Sequence, residues 1–273
     1  MTESESPIIG VGGLGGSGTR LVSDILQSAG IYFGNDQNHA SDTLSFTLFF
    51  NISALSIDEH QFQQRAEFFC SSLLGYPLSQ VDIERLMVLA QDNQLQHGES
   101  WVLQRARKIV QNSSPLSHIR WGWKSPPTHF FAKQFLHCWP NFKFVHVYRN
   151  AYDMALSSNQ NQLRYWAPHV WREFESRATT PELALRFWIR AHQEIQRIKQ
   201  IYPSRVLLLP LEALCRAPQT WIDRLLEFSE IMPAADIRQE LYTLPHPIRT
   251  LGRGDAATMH LTSAERAFIN SFS

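Results

Sequence analysis

Six glycines lie between positions 10 and 18, and Ser17 and Thr19 flank the last of them. Without side chains in the way, backbone N–H groups can close on an anion, and hydroxyls add further donors. The chemistry on offer is phosphate or sulfate binding. Gly10, Gly12 and Gly15 satisfy the dinucleotide fingerprint G-x-G-x-x-G, and Asp36 stands near where its ribose-binding acid would fall. Gly13 and Gly18 satisfy most of the triphosphate loop G-x-x-x-x-G-K-[ST]. Thr19, followed by Arg20, stands where that loop needs its lysine. The fingerprint's helix would begin near Gly13 to Gly15, yet the glycines continue to Gly18. Ser17, Gly18 and Thr19 fit a third kind of phosphate loop. The loop by itself leaves the ligand open.

Other residues extend the same chemistry. Arg149 follows the apolar run "FKFVHVY", and Ser157 comes eight residues later. A guanidinium at a strand's carboxyl end suits a dianionic phosphate, which its fork binds bidentately. Lys124 closes another apolar run, just before Ser125, Pro126 and Pro127. Carboxylates gather in "FGNDQNHASD", with Asp36 first and His39 and Asp42 behind it. His118 and His129 flank Lys124 as further proton carriers. Cys70, Cys138 and Cys215 are far apart and form no C-x-x-C pair, so neither a disulfide framework nor a cysteine zinc site is indicated.

The elements that must hold these residues read as α/β. Pro7 to Gly12 is a buried strand ending in glycines. Helical spacing from Ser17 to Ala29 stops at Gly30, and Ile31 to Phe33 read as a second short strand. Residues 40 to about 115 show helical spacing with few strand signals, and read as a helical insertion able to roof a sheet edge. Strands follow at Ile119 to Trp123, Phe142 to Tyr148 and Arg205 to Leu209. Helices run to Cys138 from the two prolines, from Tyr152 to about Asn159 with Asp153 supporting its start, from Pro181 to Tyr202, and from Pro218 to Ser229. Residues 160 to 180 are irregular, and Thr262 with Glu265 forms a capping box. The fold class is therefore α/β: one domain over 1–273, a three-layer sandwich with a mostly parallel sheet of about five strands and a helical insertion. Ligands of such sheets bind outside the carboxyl ends of the strands.

Taken together these stretches resemble the sulfotransferase family, of bacterial type with a P-loop-like fold. "GGSGTRL" is similar to its 5′-phosphosulfate loop, and "VHVYRNAYDMALS" to its 3′-phosphate motif. "GWKSPPTHFF" resembles a W-x-x-K-x-P segment, and Glu212, Leu214, Pro218, Leu225 and Phe228 match a late strand and helix. The resemblance covers 8–34 and 119–230. It implies in-line transfer of a sulfuryl group from 3′-phosphoadenosine-5′-phosphosulfate (PAPS) to a hydroxyl or amine, with 3′,5′-ADP (PAP) as product and no metal. It assigns Gly15, Gly16, Ser17, Gly18, Thr19 and Arg20 to the 5′ end of the donor, and Arg149 and Ser157 to its 3′-phosphate. Arg253 and Gly254, with Arg249 as alternate, fit a late phosphate loop. The family usually has a cation where Gly16 stands here, so Arg20 or Lys124 is expected to supply that charge. A catalytic carboxylate is expected just after the second strand, with Asp36 the nearest match. A non-catalytic nucleotide-binding scaffold of the same fold, or a small-molecule kinase, is the alternative.

Composition agrees with a small-molecule or saccharide acceptor. Lys plus Arg and Asp plus Glu are both 25, a balance unlike that of nucleic-acid binders. No stretch approaches the roughly 20 apolar residues of a membrane span, and the polar start "MTESES" is unlike a secretory signal, so a cytoplasmic location is expected. Of Trp121, Trp123, Tyr165, Trp166 and Trp171, at most two are expected to stack on an acceptor ring.

Overall fold

The computed structural model describes residues 6–92, 97–112, 114–116, 119–172, 174, 179–246 and 260–272. The sheet grows from apolar runs buried on both faces, as parallel strands must be. β1 (Ile8–Gly12), β2 (Gly122–Lys124), β3 (Phe142–Tyr148) and β4 (Val206–Pro210) lie in the order β2-β1-β3-β4. Every pairing is parallel: Val11 faces Lys124 on one side and Val145 on the other, and Tyr148 faces Pro210. The register brings Gly12, Lys124, Tyr148 and Pro210 to one edge, where the candidate residues follow.

Alternation along the strands divides the core into layers. Phe142 and Phe144 face one side, Val145 and Val147 the other. The second side packs α1 (Thr19–Ser28), with Ile25 and Leu26 buried. The first carries the insertion, α2 (Leu44–Phe49), α3 (Glu59–Leu73), α4 (Gln80–Asp92) and α5 (Glu99–Gln111), together with α6 (Thr128–Cys138). Phe46, Phe50, Phe62, Phe69, Trp123 and Phe135 interlock there with ring centroids 4.8 to 6.3 Å apart. Past the sheet's carboxyl edge come α7 (Ala151–Ala155), α8 (Asn161–Tyr165) and α9 (Ala167–Val170). The chain then continues as α10 (Pro181–Ile201), α11 (Leu211–Arg216), α12 (Pro218–Phe228), α13 (Ala235–Leu241) and α14 (Ser263–Asn270). Ile222 and Leu225 of α12 join the α1 layer, and Ile195 and Ile198 of α10 join the other. The capping box of Thr262 and Glu265 is formed.

Three readings change. The sheet has four strands among the described residues, because Ile31 to Phe33 contributes only an isolated parallel bridge, Tyr32 to Trp121, before Gly34 turns the chain away. α7 is capped by Asn150, whose Oδ1 accepts from the amides of Tyr152 and Asp153. It also ends at Ala155, where Gln160 Nε2 donates to the carbonyls of Met154 and Ser157, so Ser157 lies past the helix rather than on it. Residues 160–180, read as irregular, hold α8 and α9. No helix among the described residues is long and apolar enough to cross a membrane.

Candidate functional site

The glycine loop joins β1 to α1 at the sheet's carboxyl edge. Gly13 has φ +155°, and a Cβ there would lie 2.2 Å from the Val147 carbonyl, so only glycine fits. Gly16 has φ +92° and is exposed at the loop's crest. That conformation explains the missing loop cation: a lysine or arginine here would strain the backbone. Among the described residues no side chain caps α1, and no acid occupies its first turn, which leaves the helix's positive end facing outward. The Ser17 hydroxyl is buried at 1% exposure and has no hydrogen-bond partner among the described residues. A buried donor left this way costs free energy unless a ligand satisfies it.

The downstream motif meets this loop. A Cβ built on Gly16 would lie 3.3 Å from Ser157 Oγ. Arg149, at the end of β3, has Nη2 3.6 Å from Asp153 Oδ2 and Nε 3.8 Å from Glu212 Oε1. Glu212 also accepts from the Asn150 amide, and Trp188 Nε1 donates to the Arg149 carbonyl. The guanidinium is thus aimed by carboxylates from two elements, α7 and α11, while Trp188 of α10 fixes the arginine's backbone.

Lys124 ends β2 with its side chain 2% exposed. Its ammonium pairs with Asp42 and donates to the Ala40 carbonyl at 2.8 Å. Burial lowers its pKa, and Asp42 acts to raise it again. Asn38 Nδ2 donates to the other Asp42 oxygen at 2.9 Å. Arg20 is exposed and reaches the His39 carbonyl at 3.4 Å, while Ser41 donates to Asp24 of α1. Segment 38–42 therefore straps both candidate cations.

Asp36 sits elsewhere. It is buried against Arg105 at 3.1 Å and Lys108 at 2.7 Å, and it lines a small separate cavity with Ser72 and Asn112. Asp42, by contrast, lines a cavity of about 480 Å³ that opens beside Gly15. His129 Nδ1 lies 2.9 Å from the Pro126 carbonyl, and burial lowers its pKa to about 4. It joins His146 and His192 in a buried histidine row. Of the five aromatic candidates, Tyr165 and Trp166 line the large cavity, Trp123 is core, Trp121 packs on the core, and Trp171 lines a groove between α6 and α10. His118, Arg249, Arg253 and Gly254 lie outside the described residues. Gln162 carried no signal in the sequence. Its Nε2 donates to the Gly13 carbonyl, and its Oε1 is buried without a partner among the described residues.

A parallel sheet with a glycine loop after one strand and an arginine held by two carboxylates after its neighbour defines a P-loop-like α/β protein. The model of the sulfotransferase family matches residues 7–234, and the chain belongs to that family. Its fold is similar to that of a sulfotransferase from Mycobacterium avium, with a TM-score of 0.50 and 13% identity over 98% of this chain and 76% of that one. It is equally similar to the sulfotransferase domain from the curacin biosynthetic pathway, with a TM-score of 0.50 and 12% identity over 98% and 97% of the two chains. No curated protein sequence matches this chain.

Proposed function

We propose that the protein is a PAPS-dependent sulfotransferase acting on an acceptor hydroxyl or amine. The observation that carries this reading is the meeting of Gly16 and Ser157, which joins two anion-binding stretches from distant parts of the chain at one sheet edge. The residues present fit the donor: the Ser17 hydroxyl is an orphaned buried donor, and α1 offers an uncapped N-terminus.

In this reading, Gly15 to Thr19 hold the 5′ end of the donor through backbone amides and the Ser17 and Thr19 hydroxyls. Arg149 and Ser157 hold the 3′-phosphate, with Asp153 and Glu212 fixing the guanidinium's direction. Arg253 and Gly254 belong to the same proposed donor site. Lys124 and Arg20 supply positive charge where negative charge develops on the leaving side. Transfer forms the acceptor oxygen–sulfur bond as the sulfur–oxygen bond to the 5′-phosphate breaks, the phosphate keeping the electron pair.

The acceptor's proton goes to Asp42 rather than to Asp36. Asp42 faces the cavity beside the loop, whereas Asp36 is held by two cations in a different one. A proton acceptor must first be within reach of the proton it takes.

A thermal-shift panel tests the donor assignment. 3′,5′-ADP is expected to stabilise the protein while ATP and NAD do not. Stabilisation by ATP alone would replace this reading with that of a kinase.

A further inference from the structure

The large cavity beside Gly15 is unusual in its lining. Small-molecule pockets are mostly apolar with a few placed polar groups. Here five amide residues, Asn38, Asn51, Asn159, Asn161 and Gln162, line the wall. Asn38 and Asn51 spend their oxygens on neighbouring backbone amides and Gln162 gives Nε2 to the Gly13 carbonyl, which leaves Asn159, Asn161 and the unpartnered Gln162 Oε1 to meet a hydroxyl's double donor and acceptor character. Phe50, Trp101, Tyr165 and Trp166 supply ring surface between them, suited to the C–H face of a sugar. Trp101 is braced by His97, with ring centroids 4.5 Å apart.

Charge narrows the choice. No lysine or arginine is among the described lining residues, and the one carboxylate there is Asp42. Its charge is answered by Lys124 behind it. Burial lowers the pKa of His97, so this histidine adds no cation near neutral pH. A sulfate, phosphate or uronate on the acceptor would enter facing a carboxylate with no cation among the described lining residues to meet it. A phenol or sterol would leave the Gln162 oxygen, buried without a partner among the described residues, facing hydrocarbon.

We infer that this cavity takes a neutral, hydroxyl-rich acceptor, a hexoside or short neutral oligosaccharide, and presents one of its hydroxyls to Asp42. The inference rests on the donor reading for its chemistry but not for its binding. The hydroxyl proton passes to the Asp42 carboxylate as its oxygen takes the sulfuryl group. A saccharide already sulfated or carrying uronates is excluded, so the enzyme acts on the sugar before any reaction that makes it anionic.

Calorimetric titration of the full chain decides this, with and without saturating 3′,5′-ADP. The probes are methyl hexosides, lactose, maltose and cellobiose, against a glucuronate-containing disaccharide and 2-naphthol. At least one neutral saccharide is expected to bind ten-fold or more tightly than the anionic one and the naphthol, and to accept ³⁵S from labelled PAPS. Tyr165 is 49% exposed, so Tyr165→Ala should fold. It is expected to weaken saccharide binding about five-fold while leaving 3′,5′-ADP affinity unchanged. Preference for the glucuronate or the naphthol, or no binding by any neutral saccharide, overturns the inference and leaves the donor reading standing. Failure of 3′,5′-ADP to bind overturns the donor reading, and the titration without it still decides what the cavity accepts.

Discussion

Lys124, buried, and Asp42 form an ion pair that ties the carboxyl end of β2 to the segment that also holds Arg20 and Asp24 of α1. The lysine is the more deeply buried partner, and Asn38 holds the free side of the carboxylate. Asp42→Asn keeps the shape and removes the charge. It leaves an ammonium in low dielectric, a change expected to cost roughly 3 kcal/mol of stability. Sulfuryl transfer should fall at least a hundred-fold, with the melting temperature read by calorimetry and transfer by ³⁵S label. Transfer within threefold of wild type would remove Asp42 from the mechanism.

Asp36 provides the contrast. Asp36→Asn should also destabilise, because Arg105 is buried beside it and loses its counter-charge. Its 3′,5′-ADP affinity should stay within twofold of wild type, and transfer should fall no further than the folded fraction does. Loss of kcat in a fully folded Asp36→Asn protein would return the base to that position.

Arg149→Ala should weaken 3′,5′-ADP binding at least a hundred-fold while leaving 5′-AMP binding unchanged, since only the former carries the phosphate assigned to the guanidinium. Ser157→Ala should show the same selectivity with a smaller loss, about fivefold. Equal losses for both nucleotides would mean that Arg149 supports the fold and does not read the 3′ end.

The loop, the strand-end arginine and the buried lysine were legible because packing alone seldom places clustered glycines or a charge at the end of a buried strand. The proposed choice of Asp42 over Asp36 was not legible. It depends on a tight turn in which Asn38 Oδ1 accepts from the amides of Ala40 and Asp42 while Ser41 takes φ +60°. It also depends on Lys108, 72 residues from Asp36, reaching back to hold it. The short bridge at Tyr32 reads as a full strand because three apolar residues look alike whether or not a partner strand continues beside them. The amide wall of the cavity had no motif at all, since Asn51 and Gln162 come to line one cavity only through the tertiary fold.

Gly16→Lys puts into this loop the cation that the family resemblance leads one to expect, yet it should harm the protein. Residue 16 has φ +92°, where a side chain costs about 1 kcal/mol or more. The added Cβ would also come within 3.3 Å of Ser157 Oγ. Weaker 3′,5′-ADP binding is therefore expected in Gly16→Lys and, to the same extent, in Gly16→Ala. Tighter binding in the lysine variant alone would show that the loop can rearrange and that its charge was limiting.

The buried histidines set an acid limit on stability. Burial lowers His129 to about 4 and His192 to about 3, and His146 is also held well below its ordinary value by burial and by its two neighbours. Each is therefore neutral in the folded chain and titrates near 6.5 once unfolded. Below that pH the unfolded chain binds more protons, so stability must fall as the solution is acidified. The contribution is fully present above about pH 6.5 and is lost down to about pH 4 for His129 and about pH 3 for His192. The slope is at most about 1.4 kcal/mol per pH unit for each histidine. His192 donates to the Trp188 carbonyl and stacks on its ring, so a polar replacement there would confound packing with charge. His129→Gln is the cleaner probe. Denaturant titrations at pH 7, 6 and 5 should give a shallower acid slope in the variant by about one proton, and an unchanged slope would show that His129 is not buried neutral.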